Sequence, residues 1–256
     1  PATISGSLPN FTCAKTGITG SNGQVLNLNM RATSGGGTSQ GTAVQVRIDS
    51  APPTGSVKIN SGDAFTKSTA VQLTLTASDT SGLSQICISN TNSACSTWEN
   101  FSKSKNWNLS SDDGTKTVYV WFKDRVGNIN PSPFSDQITL DTVPPTNPTT
   151  VTSSSHTLSV WSKDRTVDMS WSGATDNNGS GVYGYSIKWD KSPGTLPDTT
   201  SDTTANKKAS PSLSDGSNHY FHLRTRDKAG NWSATAVHMG PFFIDGTAPV
   251  NGTLNA

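Results

Sequence analysis

The chain has 256 residues, and its 19 Lys and Arg against 18 Asp and Glu leave a formal net charge of only +1. This balance excludes the excess of basic charge with which nucleic-acid-binding proteins displace counterions from phosphates. No apolar run approaches the ~20 residues of a membrane-spanning helix, which argues against membrane insertion. Hydrophobic residues make up 31% of the chain, and Thr- and Val-rich tracts alternate with Gly, Asn, Asp and Pro. The composition therefore predicts an all-β protein with thin cores.

Residues 1–48 contain few regular elements. An alternating strand over 25–32 leads through the glycine-rich run 34–37 to a second strand over 43–49. We expect about four strands here, fewer than the seven of an immunoglobulin-type sandwich. Two interpretations remain open: the C-terminal strands of a partial β-sandwich, or a small β domain.

A proline-containing phrase occurs three times and divides the rest of the chain. It reads DSAPPTG at 49–55, DTVPPTN at 141–147 and DGTAPVNG at 245–252. Proline lacks an amide donor, so it ends strand pairing and stiffens a linker. The copies are roughly a hundred residues apart, the size of an immunoglobulin-like sandwich. We predict domains at 49–141 and 142–245, with 246–256 as a linker or the first strand of a following domain.

Two alternating strands supply most of the core of each predicted domain. They run over 71–79 and 117–124 in the first domain, and over 166–176 and 219–227 in the second. Alternation with period two marks their inward-facing side chains. These are Val71, Leu73, Leu75, Val118, Val120, Phe122, Val167, Met169, Trp171, Phe221, Leu223 and Thr225. Each later strand ends in the turn sequence Asp-x-x-Gly-Asn, so both domains follow one strand plan.

These motifs resemble two known groups of domains. Segment 49–141, with LTASDTSG at 75–82 and DGTKTVYVWFKD at 113–124, resembles the immunoglobulin-like repeats of large bacterial cell-surface and secreted proteins. Segment 142–245, with GYSIKW at 184–189 and LRTRDKAGN at 223–231, is similar to fibronectin type III domains. This chain has His219 at the position where that family has a strand-F tyrosine. The resemblance implies tandem immunoglobulin-like and fibronectin-III-like β-sandwiches.

The chain has three cysteines. If residues 90–92 form the turn of a hairpin, Cys87 and Cys95 fall opposite each other at a distance that suits a disulfide. The alternative is a pair of buried free thiols. We predict the disulfide, because a thin-cored domain gains from a covalent link, and the bond implies an oxidising compartment. Cys13 has no assigned partner.

Aspartates recur at the ends of the repeated units: Asp49, Asp79, Asp124, Asp141, Asp176, Asp227 and Asp245. The resemblance implies that such residues bind calcium at linkers, as they do in some bacterial surface repeats. The alternative is that Asp and Asn cap turns through their own backbone. From the sequence alone we assign no metal site here.

Other possible sites are weak. Residues His219 and His222 are three apart on a strand and point to opposite faces, so they cannot chelate one ion. The G-x-G-x-x-G match at 179–184 joins two strands and opens no helix, which predicts a turn. The sequence carries none of the common catalytic motifs, and carboxylates repeated in every unit do not form a unique catalytic pair. We assign no catalytic residues and no cofactor.

The sequence therefore favours a structural or adhesive segment of an extracellular or cell-surface fibre protein, cut from a longer array. It would act as a modular spacer whose partners are neighbouring repeats or subunits, with possible polymerisation by strand donation from 246–256. The alternative is a module that binds carbohydrate or a receptor protein, on a host or prey surface, through exposed tryptophans such as Trp121 and Trp232. Such a module could be accessory to a secreted glycan-degrading enzyme.

Overall fold

The computed structural model describes residues 3–5, 12–14, 16–29, 31–34, 37–93, 95–177 and 179–250. Within these residues, the regular structure consists of β-strands and one short 3₁₀ helix at Asn60–Gly62. No helix of membrane-spanning length and hydropathy occurs in this part of the chain. The prediction of an all-β protein is confirmed.

The described parts of residues 1–48 form three separate pairs of strands. The pairs are β1 with β2, β3 with β6 and β4 with β5. Their bounds are β1 Thr3–Ser5, β2 Thr12–Ala14, β3 Val25–Leu28, β4 Arg31–Ser34, β5 Gly37–Gln40 and β6 Val44–Arg47. The two predicted strands do pair, with Val25 opposite Arg47, but the hairpin of β4 and β5 divides the first of them. Val25 and Val44 remain half exposed, at 51% and 50%, so this pair does not bury an apolar face.

The remaining strands form four sheets. Strands between residues 54 and 140 make up two of them, and strands between 150 and 244 make up the other two. The chain separates into two compact units, one of residues 1–58, 73–105 and 118–136 and one of 59–72, 106–117 and 137–256. The domain boundaries drawn from the sequence at 49, 142 and 246 stay predictions.

The strands between 54 and 140 form a three-stranded sheet, β12-β9-β7, and a five-stranded sheet, β11-β10-β13-β14-β8. Their bounds are β7 Thr54–Ile59, β8 Phe65–Thr66, β9 Ala70–Ser78, β10 Leu83–Ser89, β11 Glu99–Asn100, β12 Ser104–Asn108, β13 Gly114–Asp124 and β14 Phe134–Leu140. The short strand β8 pairs in parallel with the last strand, with Thr66 opposite Leu140.

The strands between 150 and 244 repeat this plan. They form a three-stranded sheet, β15-β17-β19, and a four-stranded sheet, β16-β21-β20-β18. Their bounds are β15 Thr150–Ser153, β16 Trp161–Ser162, β17 Asp168–Ser172, β18 Val182–Asp190, β19 Lys207–Ala209, β20 Gly216–Asp227 and β21 Val237–Ile244. Here the short parallel strand is β16, with Trp161 opposite Phe243. In both cases the division of strands between the sheets is that of the immunoglobulin and fibronectin type III sandwiches.

The cores consist of the residues that alternation marks. All twelve predicted core side chains are buried, and the largest exposure among them is 5%, at Val71. Phe221 lies at the centre of the second core, with its ring centroid 5.8 Å from that of Trp171 and 5.2 Å from that of Trp189. Burial of each large side chain contributes roughly 1.5–3 kcal/mol, which is the main source of stability in so polar a chain.

His219 takes over a hydrogen bond that a tyrosine makes in the fibronectin type III pattern. In that pattern the strand-F tyrosine bonds back to the main chain a few residues upstream. Here the His219 side chain is 5% exposed, and its Nε2 lies 2.8 Å from the carbonyl oxygen of Ser214. Since the carbonyl only accepts, Nε2 carries the proton and donates.

Candidate metal sites

Six of the seven recurring aspartates come together in two clusters of three. Asp49, Asp79 and Asp124 form the first cluster, and in each cluster one carboxylate oxygen from every member lies within 4.8 Å of the others. The second cluster consists of Asp141, Asp176 and Asp227. Each cluster lies inside one compact unit, the first in the first unit and the second in the second.

The two clusters have the same construction. Each takes one aspartate from the proline-containing phrase, one from the loop after the second long strand of a sandwich, and one from the end of a central strand. In the second cluster these are Asp141, Asp176 and Asp227, and Asp227 is the last residue of β20. A repeated construction from segments far apart in sequence is not a property of a single turn.

The Asp-x-x-Gly-Asn turn holds one carboxylate of each cluster in place. Asp124 Oδ1 accepts the backbone N–H groups of residues 126, 127 and 128, at 2.9, 2.6 and 2.8 Å. Asp227 Oδ1 accepts those of residues 230 and 231, at 2.6 and 2.7 Å. Gly127 and Gly230 have φ of 102° and 97°, which favours glycine at both positions. The turn prediction is therefore correct, and the same turn also points a carboxylate into the cluster.

The asparagine of each turn connects it to the proline-containing phrase. Asn128 Nδ2 donates to Asp124 Oδ2 at 2.7 Å and lies 3.2 Å from the carbonyl oxygen of Asp49. Asn231 Nδ2 likewise donates to Asp227 Oδ2 at 2.7 Å and to the carbonyl oxygen of Asp141 at 2.8 Å. The main-chain carbonyl of the phrase is thus tied to the turn through the asparagine side chain.

One carboxylate oxygen in each cluster is buried without a hydrogen-bond partner. These atoms are Asp49 Oδ2 and Asp176 Oδ1. The other oxygen of each of these residues is used, since Asp49 Oδ1 accepts from the amide of Ala51 and Asp176 Oδ2 accepts from that of Gly181. A buried carboxylate oxygen with no partner carries a desolvation cost that a cation would remove.

The surroundings of Asp227 and Asp124 shift the pKa values of these two carboxyl groups in opposite directions. Burial raises the pKa of Asp227 above its usual 3.8, and the neighbouring Asp141 carboxylate adds to the rise, while hydrogen bonds from Asn231 and Gly230 oppose it. At Asp124 burial acts in the same direction, but the hydrogen bonds from Asn128, Gly127 and Val126 outweigh it and lower the pKa. Among the described residues, no ion pair reaches either cluster.

The donor set fits Ca²⁺. Calcium takes six to eight oxygen ligands from carboxylates, carbonyls and water, in flexible geometry. Each cluster offers three carboxylates, one of them with an unused buried oxygen, and contains no nitrogen or sulfur donor. Asp245 occupies the position after β21 that matches Asp49 and Asp141. It is exposed, belongs to neither cluster, and its Oδ1 accepts from the amide of Thr247.

A disulfide joins Cys87 and Cys95, whose Cα atoms are 6.0 Å apart. The expectation that the two residues lie opposite each other in a hairpin is wrong. Strand β10 pairs with β11 through Gln85 and Asn100, and Cys95 lies in the loop between these strands. The bond therefore closes this loop, which contributes about 2.6 kcal/mol on the loop-entropy model. Cys13 lies in β2, and its side chain falls outside the described part of the structure.

The exposed aromatic side chains are not the expected ones. Trp121 is only 9% exposed, and it lies opposite Cys87 in the sheet. Trp232 is half-buried beside Arg224, whose guanidinium carbon is 5.3 Å from the ring centroid. Trp161 is instead 58% exposed. Periodicity missed it because β16 contains only two residues.

Sequence periodicity also missed a polar cluster on the second sandwich. His222 contacts His238 and Asp190. His219 lies apart from them and bonds to Ser214, so the two histidines of β20 have separate partners, as their spacing predicts.

The strand order, the buried cores and the repeated turns define a tandem of immunoglobulin-like and fibronectin-III-like β-sandwiches. No protein-family model matches the chain. Chitinase Chi52 from Paenibacillus xylanexedens is 34% identical over 110 residues, which are 43% of this chain and 18% of the chitinase. The chain thus spans less than a fifth of the length of that curated relative.

Solved structures with similar folds have low sequence identity. Fibronectin(III)-like modules of CbhA from Clostridium thermocellum are 12% identical, with a TM-score of 0.48 over 78% of this chain and 100% of theirs. A tetra-tandem repeat from the extending region of a large adhesion protein is 19% identical, with a TM-score of 0.29 over 96% of this chain and 66% of its own. Chitinase ChiA74 from Bacillus thuringiensis is 17% identical, with a TM-score of 0.28 over 78% of this chain and 28% of its own. These likenesses add nothing to the fold that the strand order already defines.

Proposed function

We propose that this chain is a non-catalytic spacer of a secreted protein, in which Ca²⁺ bound by the aspartate clusters fixes the proline-containing linkers. The observation that carries the proposal is the twofold occurrence of one cluster, built each time from a linker aspartate and from one loop aspartate and one strand-end aspartate of the sandwich that follows. A cation there offsets the repulsion among three carboxylates and satisfies the partnerless oxygen. It would also hold the linker against the turn, which makes a spacer stiff.

Calcium titration of the whole chain tests this proposal. We expect two calcium sites by isothermal titration calorimetry, together with a rise in the melting temperature relative to protein in chelator. Asp49→Asn and Asp176→Asn each remove a carboxylate with a buried, partnerless oxygen, so each variant should retain one site and the double variant none. Asp245→Asn is the matched control, since Asp245 follows a last strand in the same way but belongs to neither cluster.

Two results would overturn the calcium assignment. One is a melting temperature that does not respond to calcium in the wild-type chain. The other is unchanged binding stoichiometry in the Asp49→Asn, Asp176→Asn double variant, which would place the calcium elsewhere.

The surrounding protein is inferred from two observations. A disulfide in the first sandwich suits an oxidising, extracellular compartment. The likeness to chitinase Chi52 favours an accessory region of a glycan-degrading enzyme over a segment of a surface fibre. Polymerisation by strand donation from 246–256 stays a prediction, and residues 251–256 lie outside the described part of the chain.

A second candidate function is contact with a glycan through Trp161. Its ring lies against Phe243, with centroids 5.1 Å apart, and the nearby Leu158 and Val160 are 39% and 54% exposed. An exposed indole backed by a second ring offers a flat apolar surface on which a sugar ring can stack. This patch replaces Trp121 and Trp232 as the expected contact.

Trp161→Ala is expected to weaken binding of the chain to chitin by about tenfold or more, because a central aromatic anchor supplies much of the energy of such a contact. The measurement is a depletion isotherm on insoluble chitin. Tyr183→Ala is the control, since Tyr183 is also exposed, at 46%, but lies outside this patch. Equal binding by wild type and Trp161→Ala would exclude the patch as the glycan contact.

A further inference from the structure

Three titratable side chains meet on one face of the four-stranded sheet of the second sandwich. His222 in β20 lies directly opposite His238 in β21, and their Nδ1 atoms are 2.7 Å apart. On the other side of the His222 ring, Nε2 is 3.2 Å from Asp190 Oδ1. The His222 side chain is fully buried, Asp190 is 26% exposed and His238 is exposed.

The partners of His222 determine where its proton lies. A carboxylate only accepts hydrogen bonds, so Asp190 fixes the proton of a neutral His222 ring on Nε2. The lone pair of Nδ1 is then directed at His238. Burial lowers the pKa of His222, which favours the neutral ring, although Asp190 acts in the opposite direction.

We propose that His222 and His238 bind a divalent transition metal ion such as Zn²⁺ through their two Nδ1 atoms, and that Asp190 positions the His222 ring. Neutral imidazole nitrogens are preferred ligands of such ions. A metal-bound histidine also commonly donates its other N–H to a carboxylate, which fixes the tautomer and the ring orientation. Asp190 and His222 already have this relation.

The site requires a small movement of an exposed side chain and a change of its tautomer. In the metal-free pair His238 Nδ1 donates to His222 Nδ1, and metal binding needs that proton on Nε2 of His238 instead. Two nitrogens bound at about 2.0–2.1 Å in tetrahedral geometry are about 3.3 Å apart, so the rings must separate by roughly half an ångström. His238 is exposed and can make this movement while His222 stays fixed by its burial. The remaining ligand positions would be filled by water.

The other charged groups near this face do not block the site. Lys188 in β18 lies opposite His222, but its positive charge interacts with the carboxylate of Asp198. The Tyr220 ring stacks beside His222, with 6.4 Å between the ring centroids. Asp190 brings negative charge close to the metal position, while Asp198 and Asp202 lie beside Ser186 of the same strand.

Zinc titration of the whole chain, in buffer that already contains saturating Ca²⁺, tests the proposal. The calcium keeps Zn²⁺ from the aspartate clusters. We expect one zinc site by calorimetry, and a loss of about tenfold or more in affinity for His238→Asn, in which the exposed ligand is removed without disturbing the core. His156→Asn is the matched control, since His156 bonds to Ser155 and to the main chain of Asp164 and is not part of the pair.

Nitrogen chemical shifts separate the role of each atom. In long-range ¹H–¹⁵N spectra, Zn²⁺ should shift Nδ1 of His222 while Nε2 keeps its proton. Asp190→Asn should lower zinc affinity by about tenfold and allow both tautomers of His222 in the metal-free protein, an effect that a merely structural role would not produce. Zinc affinity unchanged in His238→Asn, or a shift of Nε2 instead of Nδ1, would overturn the proposal.

Discussion

Replacing Asp124 by alanine is expected to destabilise the protein by about 3 kcal/mol, measured by urea denaturation in the presence of chelator. Asp124 is only 1% exposed, and its Oδ1 accepts from three consecutive backbone amides. Each of these part-buried hydrogen bonds contributes about 1 kcal/mol. The side chain of Asn128 loses its acceptor as well.

Asp124→Asn separates this turn role from the charge. The asparagine oxygen can still accept from the three amides, so we expect most of the stability to remain, while calcium binding at the first cluster is weakened. Asp245→Ala, in an exposed position, should change the free energy of unfolding by less than about 0.5 kcal/mol. Asp124→Ala as stable as wild type would show that the amides find other partners.

Replacing Phe221 by alanine is expected to cost about 3–5 kcal/mol, because it leaves a cavity at the centre of the second core. Phe221 is fully buried, and its ring packs against those of Trp171 and Trp189. Since these two indoles report on the same core, unfolding should be followed by tryptophan fluorescence during urea denaturation.

Phe243→Ala is the control for Phe221→Ala. Phe243 follows the buried Phe242 in β21 but is itself only partly buried, and its ring contacts the exposed Trp161. We expect its loss to cost clearly less, about 1 kcal/mol. Equal effects of the two substitutions would contradict the assignment of Phe221 as the centre of this core.

Alternation of apolar residues was sufficient to predict the cores, since every inward position of β9, β13, β17 and β20 obeys a period of two. The recurring aspartates were also visible, because they repeat with the proline-containing phrase. Their assembly into two clusters was not, since it depends on how loops far apart in sequence meet. The sequence of the turn at Asp124 is the same whether or not other carboxylates lie beside Asp124 in the folded protein.

Three features of the structure could not be predicted from periodicity, because they depend on local irregularities of the strands and loops. Parity placed Trp121 outward, but the side chain is buried opposite the disulfide-bonded Cys87. The pairing of His222 with His238 depends on the register of β20 and β21, which shifts twice between Gly216 and Phe221. A sequence shows neither the shifts nor the carboxylate that Asp190 brings from β18.

The parallel pairing of β8 with β14, and of β16 with β21, has a consequence for a chain that is pulled from its two ends. Tension enters each sandwich near its first strands and leaves through its last, and backbone bonds such as Asp141 N to Thr66 O and Asp245 N to Ser162 O cross between them. Because the paired strands run in the same direction, the load is a shear that strains all of these bonds together instead of opening them one after another. Both sandwiches are therefore built to resist stretching at the places where the chain enters and leaves them.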